Sequence, residues 1–139
     1  MVLLGITALV GGCVIFLIFR LYAKRGRQPP PPDPSFAPPG TILSVTGDQM
    51  KAWVQQHDTA GVLFYAPWCT HCHQLLPTYE DAAKQRPSLA LAKVDCDAHP
   101  QLVSLYGLRG VPTLLRFRGG QVDAEYEGDR TLNDIAQFF

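Results

Sequence analysis

The chain has 139 residues, in which 12 lysines and arginines balance 12 aspartates and glutamates. A formal charge of zero, without a basic stripe or an acidic tail, argues against nucleic acid as a partner. The four cysteines do not form a disulfide scaffold, because one lies in an apolar N-terminal run, two form a close pair and one is alone. The roughly one hundred residues after residue 40 suffice for one compact domain and not for two.

Residues 1–22 are predicted to form a single transmembrane helix. Val2–Phe19 is apolar and uncharged, and Leu21 and Tyr22 bring the run close to the ~20 residues that span a bilayer as a helix. A cleaved signal peptide is the alternative. It is disfavoured because no lysine or arginine precedes the run and no A-x-A cleavage site follows it.

A basic and proline-rich linker is predicted over residues 23–40. Its lysine and arginines, together with Arg20, all follow the apolar run, so the positive-inside rule places the C-terminal domain on the cytosolic or matrix side. We therefore expect a single-pass protein of an endomembrane or a mitochondrial membrane, with the domain facing a reducing compartment. Seven prolines among residues 28–40 favour an extended, semi-rigid spacer; a ligand for a proline-reading domain is the alternative.

Residues 41–139 alternate predicted strands and helices. The predicted strands cover residues 41–45, 61–66, 89–94, 113–117 and 122–126. Helices are predicted to begin at Thr46 or Asp48, at the cysteine pair, at Pro100 and after Thr131. Gly119-Gly120 between the last two strands indicates a hairpin. The order βαβαβαββα predicts an α/β sheet with one antiparallel edge hairpin.

Proline 112 stands directly before a predicted inner strand. A proline there removes a ladder hydrogen bond unless it occupies a special turn, so we expect a cis bond between Val111 and Pro112.

The pair Cys69-Thr70-His71-Cys72 carries the most information in the chain. It opens a helix directly after an apolar strand, where two cysteines can form and break a disulfide without moving the backbone. The pattern predicts dithiol–disulfide exchange that needs no metal and no cofactor other than a redox-active Cys69–Cys72 disulfide. A zinc site is the alternative, but a second Cys or His pair at suitable spacing is lacking.

The segment 41–139 resembles the thioredoxin superfamily and, within it, the protein disulfide isomerase branch. The resemblance rests on motifs in family order and spacing at residues 64–72 (FYAPWCTHC), 94–95, 106–113, 117–120, 126 and 130–132. These motifs are spread over nearly all of residues 41–139. The resemblance implies a thioredoxin fold, with a mixed sheet flanked by helices, and disulfide exchange with the thiols and disulfides of other proteins.

The resemblance also implies roles at the cysteine pair. Cys69 would lie exposed at the helix N-terminus, where free amides and the helix dipole favour its thiolate, and would attack a substrate disulfide. Cys72, more buried, would resolve the mixed disulfide. His71 would stabilise the thiolate and shift the potential toward about −180 mV rather than about −270 mV. For His71 the alternative is a solvated loop residue.

Further site residues follow from the same resemblance. Pro112 would face the pair, and the Val111 backbone would receive an extended substrate segment. Trp68 would be partly exposed and would pack beside the sulfurs. Whether it also binds substrate is left open. Arg130 would approach Cys72 and aid its ionisation, or be an ordinary surface arginine. Cys96 is predicted to be a partly buried free thiol, with a regulatory thiol as the alternative.

Two departures from the family pattern bear on function. Leu63 occupies the position of a buried acid thought to move protons for the second cysteine, and His73 stands where a lysine is usual. The first hypothesis is a membrane-anchored thiol–disulfide oxidoreductase acting on protein substrates. The second, favoured by Leu63, is a thioredoxin-fold accessory subunit of a larger membrane complex with little or no redox turnover. A pure peptide-binding module is a third hypothesis. It is disfavoured because peptide binding alone does not need both cysteines.

Overall fold

The computed structural model describes residues 38–139. The predicted transmembrane helix, residues 1–22, and all but the last three residues of the predicted linker lie outside this range. Within the described range, no helix combines the length and the apolar character needed to cross a bilayer.

Strands and helices alternate in the predicted order. The strands are β1 (Leu43–Ser44), β2 (Thr59–Tyr65), β3 (Ala90–Asp95), β4 (Thr113–Arg118) and β5 (Gln121–Glu125). The helices are α1 (Gly47–Gln55), α2 (Thr70–Gln85), α3 (Gln101–Leu105) and α4 (Leu132–Phe138). The largest differences from the prediction lie at β1, which is three residues shorter, and at β2, which begins two residues earlier at Thr59.

The strands form one mixed sheet in the order β1-β3-β2-β4-β5. The strands β1, β3 and β2 run parallel, whereas β4 is antiparallel to both β2 and β5. The middle strand β2 is buried at its five interior positions, as expected for a strand covered on both faces. The predicted mixed sheet flanked by helices, the thioredoxin fold, is therefore confirmed.

Alternate residues of β2 enter two different hydrophobic clusters. Val62 and Phe64 pack with residues of α1 and α3, including Trp53. Leu63 points to the other face, where it packs with residues of α2 and α4, including Tyr79. Leu63 is fully buried in this second cluster. The position where the family carries an acid is thus part of an apolar core in this chain.

Side chains cap the helices that flank the site. The Thr46 hydroxyl accepts a hydrogen bond from the Gln49 amide, and the Gln49 side chain accepts one from the Thr46 amide, which completes a capping box for α1. Of the two predicted caps, Thr46 is therefore the one used. The Thr131 hydroxyl caps α4 by accepting from the Asp134 amide at 3.2 Å, as predicted.

The last two residues of the chain pack on the sheet. The Phe139 ring lies so close to Gly61 that a Cβ there would come within 2.4 Å of it, and its centroid is 6.3 Å from that of Tyr79. Arg116 donates to the Phe138 carbonyl.

Candidate active site

The cysteine pair lies where β2 ends and α2 begins. Cys69 is the N-cap of α2, with extended backbone angles, and its amide donates to the Ala66 carbonyl at 3.1 Å. Its Sγ accepts a hydrogen bond from the Cys72 amide at 3.2 Å. The sulfur thus takes the capping place that serine or aspartate usually fills. It faces free amides at the positive end of the helix dipole.

Cys69 is more buried than the sequence predicts. Only 5% of it is exposed, so the expectation of an exposed thiol is wrong. The cover comes from Ala66 and from Val111, which pack with the pair in one small cluster. The Val111 carbonyl also accepts from the Cys69 Sγ at 3.7 Å, although the two residues are 42 positions apart in the chain. The Val111 backbone therefore lies beside the Cys69 sulfur.

The bond between Val111 and Pro112 is cis, as expected from the sequence. The Thr113 hydroxyl donates to the Gly110 carbonyl at 2.7 Å, so the turn that carries this bond has its own internal hydrogen bond. Pro112 directly precedes β4, the strand beside β2. This neighbouring strand brings Val111 and Pro112 to the same edge of the sheet as the cysteine pair.

Cys72 is fully buried, as predicted. Burial, together with the hydrogen bond to Cys69, raises the pKa of Cys72 to about 11, while the Ala66 backbone and the charge of Arg130 act in the opposite direction. At neutral pH the Cys72 thiol is therefore protonated. Both sulfurs of the pair are free thiols in this structure.

Arg130 lies near Cys72, where its charge acts on that thiol. It lines a small polar cleft of about 170 Å³ together with Leu75, Pro112 and Glu127. The loop that carries it is closed by a hydrogen bond from the Tyr126 hydroxyl to the Asp129 carbonyl. The structure thus brings Arg130 to the site, as the resemblance implies, although its effect is the weakest among the groups that shift the pKa of Cys72.

No carboxylate is among the groups that shift the pKa of Cys72, within residues 38–139. Leu63 fills the place of the family acid and packs against Leu75 and Leu114 in the apolar core. The Cys72 proton must then leave through water or through another group.

Trp68 and His71 face solvent. Trp68 is 71% exposed, well above the partly exposed packing role predicted for it. The turn between Ala66 and Cys69 projects from the sheet, so the indole has little protein to pack against. His71 is exposed on the first turn of α2, and its influence on the Cys69 thiolate remains a prediction.

Sequence reasoning missed three features around the pair. The first is Tyr65, which packs against the cluster of Ala66 and the cysteine pair and whose pKa is raised by burial and by the Asp95 carboxylate. The second is the His73 ring, whose Nε2 lies 2.7 Å from the Pro67 carbonyl oxygen. Tyr65 could have been identified from the sequence. It lies two residues after Leu63, and residues two apart in a strand lie on the same face of the sheet.

The third missed feature is an apolar groove of about 580 Å³ beside the pair. Its lining includes Ala66, Trp68, Cys96, Pro100, Val103 and Val111. Val103 on α3 is one of the few large apolar side chains left exposed within residues 38–139. A groove of this size and character suits an apolar side chain of a bound peptide.

Cys96 is a buried free thiol, in keeping with the sequence prediction. Burial and the neighbouring Asp95 and Asp97 carboxylates raise its pKa to about 11. A thiol with this pKa is a poor nucleophile at neutral pH, which argues against the regulatory alternative. Among the residues that the structure describes, no three His, Cys, Asp or Glu side chains are grouped to hold a metal ion.

Comparisons with known proteins agree with the fold and the motif. The family model Thioredoxin matches residues 41–139. Protein disulfide isomerase-like 2-2 of Oryza sativa subsp. japonica is 39% identical over 109 residues, which are 76% of this chain and 29% of that protein. Protein disulfide-isomerase of Arthroderma benhamiae is 45% identical over 99 residues, which are 70% of this chain and 19% of that protein.

A solved structure extends the comparison. The solution structure of the first thioredoxin domain of mouse Protein disulfide-isomerase A4 matches with a TM-score of 0.65 and 29% identity, over 82% of this chain and 84% of that one. The chain spans less than a third of the length of the two curated relatives. Residues 41–139 are a thioredoxin domain of protein disulfide isomerase type, and the chain belongs to the thioredoxin family.

Proposed function

We propose that this chain is a thiol–disulfide oxidoreductase that exchanges disulfides with protein substrates through Cys69 and Cys72. One observation carries the proposal: the Cys69 sulfur caps α2 and accepts the Cys72 amide hydrogen bond, while Cys72, in the same cluster, is fully buried. This arrangement separates an attacking sulfur from a resolving one.

The reaction runs in two exchanges. The Cys69 thiolate attacks one sulfur of a substrate disulfide, so a mixed disulfide forms and the other substrate sulfur leaves as a thiolate. Cys72 then loses its proton and attacks the Cys69 sulfur, which releases the second substrate thiolate. The substrate gains two electrons, and the pair is oxidised to the Cys69–Cys72 disulfide. That disulfide would be the only redox group, and a cellular dithiol would reduce it again.

The substrate is proposed to be an extended protein segment. The Val111 backbone lies beside the Cys69 sulfur, and the apolar groove between Trp68 and Val103 continues from it. A segment lying along Val111 would place one of its cysteines at Cys69 and a nearby apolar side chain in the groove. His71 and Arg130 would act on the sulfurs rather than on the substrate chain.

The N-terminal region is proposed to hold this domain at a membrane. An uncharged apolar run over residues 2–19 and the basic residues that follow it support a single-pass anchor, with the domain on the cytosolic or matrix side of an endomembrane or mitochondrial membrane. In those compartments the chain would work as a reductase. Resistance to alkaline carbonate extraction and protease accessibility of a C-terminal tag test the anchor and its orientation.

Insulin reduction by the full chain in detergent micelles tests the activity. With dithiothreitol as the electron donor, we expect precipitation of insulin chains well ahead of dithiothreitol alone, and no acceleration by the Cys69→Ser variant. Cys72→Ser should instead accumulate a mixed disulfide that non-reducing gels detect. A rate equal to that of dithiothreitol alone would overturn the proposal.

One observation favours a second function, an accessory subunit of a larger membrane complex with little redox turnover. Leu63 is buried in the apolar core where the family carries an acid, and within residues 38–139 no carboxylate is among the groups that shift the pKa of Cys72, which burial raises to about 11. Mild detergent extraction followed by native electrophoresis separates the two functions. Migration as a small monomer, combined with insulin reduction, would exclude the accessory role.

A further inference from the structure

His73 lies in the second turn of α2, with its ring turned back toward the segment before the pair. Its Nε2 is 2.7 Å from the Pro67 carbonyl oxygen. A carbonyl oxygen only accepts, so the imidazole Nε2 carries the hydrogen and donates it. The His73 amide donates to the Cys69 carbonyl at 3.2 Å. One residue is therefore bonded to the chain on both sides of Trp68.

We infer that His73 is a positioning residue for Cys69: its imidazole ties α2 to the turn before the pair and holds the Cys69 sulfur against the Cys72 amide. This inference rests on the proposed function, since it concerns the same attacking sulfur. The inference thus gives a role to His73, which stands where a lysine is usual in the family.

Few other contacts hold this turn. Its one internal backbone hydrogen bond runs from the Cys69 amide to the Ala66 carbonyl at 3.1 Å. Pro67 has no amide hydrogen to donate, and Trp68 is 71% exposed. Packing therefore contributes little at the two middle residues, and the His73 ring supplies their one side-chain restraint within the described residues.

The position of the turn matters because the sulfur depends on it. The Cys69 sulfur accepts the Cys72 amide hydrogen bond at 3.2 Å, and such a bond weakens steeply as distance and angle depart from their optimum. If the turn loosens, the sulfur spends less time against the amide. Cys69 is then less often held in its hydrogen-bonded geometry, and its attack on any electrophile slows.

Three substitutions at one position separate the N–H donor from a positive charge. His73→Ala removes the imidazole and its donor, whereas His73→Gln keeps an uncharged N–H donor at nearly the same reach. His73→Lys introduces the charge of the lysine usual in the family and keeps a donor on a longer, more flexible stem. Gln74→Ala, at the exposed next position of α2, is the matched control.

The rate of Cys69 alkylation by iodoacetamide is the readout. The reduced full chain in detergent micelles is reacted at neutral pH, and peptide mass spectrometry separates Cys69 from the other cysteines. We expect His73→Ala to slow alkylation about fivefold, which corresponds to about 1 kcal/mol for one hydrogen bond. His73→Gln and Gln74→Ala should stay within about twofold of the unsubstituted chain.

Two results would overturn the inference. One is His73→Ala reacting as fast as the unsubstituted chain. The other is His73→Gln reacting as slowly as His73→Ala, since the N–H donor would then not be the active feature; a fast His73→Lys would assign the effect to charge.

Thermal unfolding by circular dichroism, unchanged across the set, shows that the fold is intact. Because alkylation needs no protein substrate, the result stays distinct from failure of the insulin assay.

Discussion

Cys72 and Cys96 are two buried thiols with the same raised pKa of about 11, yet their surroundings differ. At Cys72 the effect of burial is opposed by the Ala66 backbone and by Arg130, and the sulfur shares a hydrogen bond with Cys69. At Cys96 the carboxylates of Asp95 and Asp97 add to burial. The comparison teaches that burial alone makes an inert thiol. A resolving cysteine also needs a partner sulfur within reach and charge that favours its thiolate.

Cys72 and Cys96 are expected to differ most in how their substitution affects insulin reduction. Cys72→Ser should lower insulin reduction by about 100-fold or more, because the mixed disulfide on Cys69 then has no internal thiol to resolve it. Cys96→Ser should leave the rate within about twofold, since this thiol is protonated at neutral pH. The insulin assay with the full chain measures both. A large loss of insulin reduction in Cys96→Ser would show that Cys96 also takes part in turnover.

A carboxylate placed near Cys72 should act as a proton acceptor. Leu63→Glu is expected to speed release of the mixed disulfide about tenfold at neutral pH, because burial raises the pKa of a new carboxyl toward the range where it exchanges protons. The same change should lower the free energy of unfolding by about 3 kcal/mol, since Leu63 is fully buried. Stopped-flow resolution kinetics and urea unfolding measure the two effects.

Leu63→Gln is the control for that experiment. It has nearly the same size and polarity but cannot accept the proton as a carboxylate does. We expect a similar loss of stability and no gain in rate. Equal rates for the Glu and Gln variants would show that the missing acid does not limit this site.

Alkaline pH should reveal the contribution of each buried thiol to stability. Each native pKa of about 11 lies above the ordinary value of 9.0, so the native state holds its protons longer than the unfolded state. The contribution of each thiol to the free energy of unfolding is therefore fully present below pH 9 and is lost as the pH rises from 9 to 11. Between pH 8 and pH 10.5, Cys96→Ala should lose about 2 kcal/mol less of its free energy of unfolding than the unsubstituted chain. Urea unfolding at pH 8 and pH 10.5 measures the difference, and identical losses would contradict the raised pKa of Cys96.

The smallest expected effect is that of Arg130. Arg130→Gln removes the positive charge that lowers the pKa of Cys72, so the resolving step should slow by about threefold at fixed pH. The effect is modest because Arg130 is the weakest of the groups acting on this thiol. Arg118→Gln, at the other end of β4 from Pro112, should leave the step unchanged. If both variants behave alike, Arg130 is a surface arginine and the difference between the two thiols rests on Cys69 and the Ala66 backbone.

Most of the fold was predictable because its signals are local. The capping residues Thr46 and Thr131, the apolar run of β2 and the Gly119-Gly120 turn each act through neighbours a few residues away. The strand and helix order therefore agrees with the structure, and the ends differ by a few residues where pairing decides them. For β1 only Leu43 and Ser44 find partners on β3, so the strand is shorter than its β-branched pattern predicts.

The sequence by itself determined the thioredoxin fold, the cysteine pair at the start of α2 and the cis bond before Pro112. Only the tertiary structure decided that Cys69 is buried, that Tyr65 packs against the cysteine pair, and that a groove opens beside Trp68. The burial of Cys69 depends on Val111, which is 42 positions away in the chain, and the groove depends on where α3 packs. A sequence pattern reports on neighbours along the chain, whereas burial, groove shape and the pKa of a thiol depend on residues that only folding brings together.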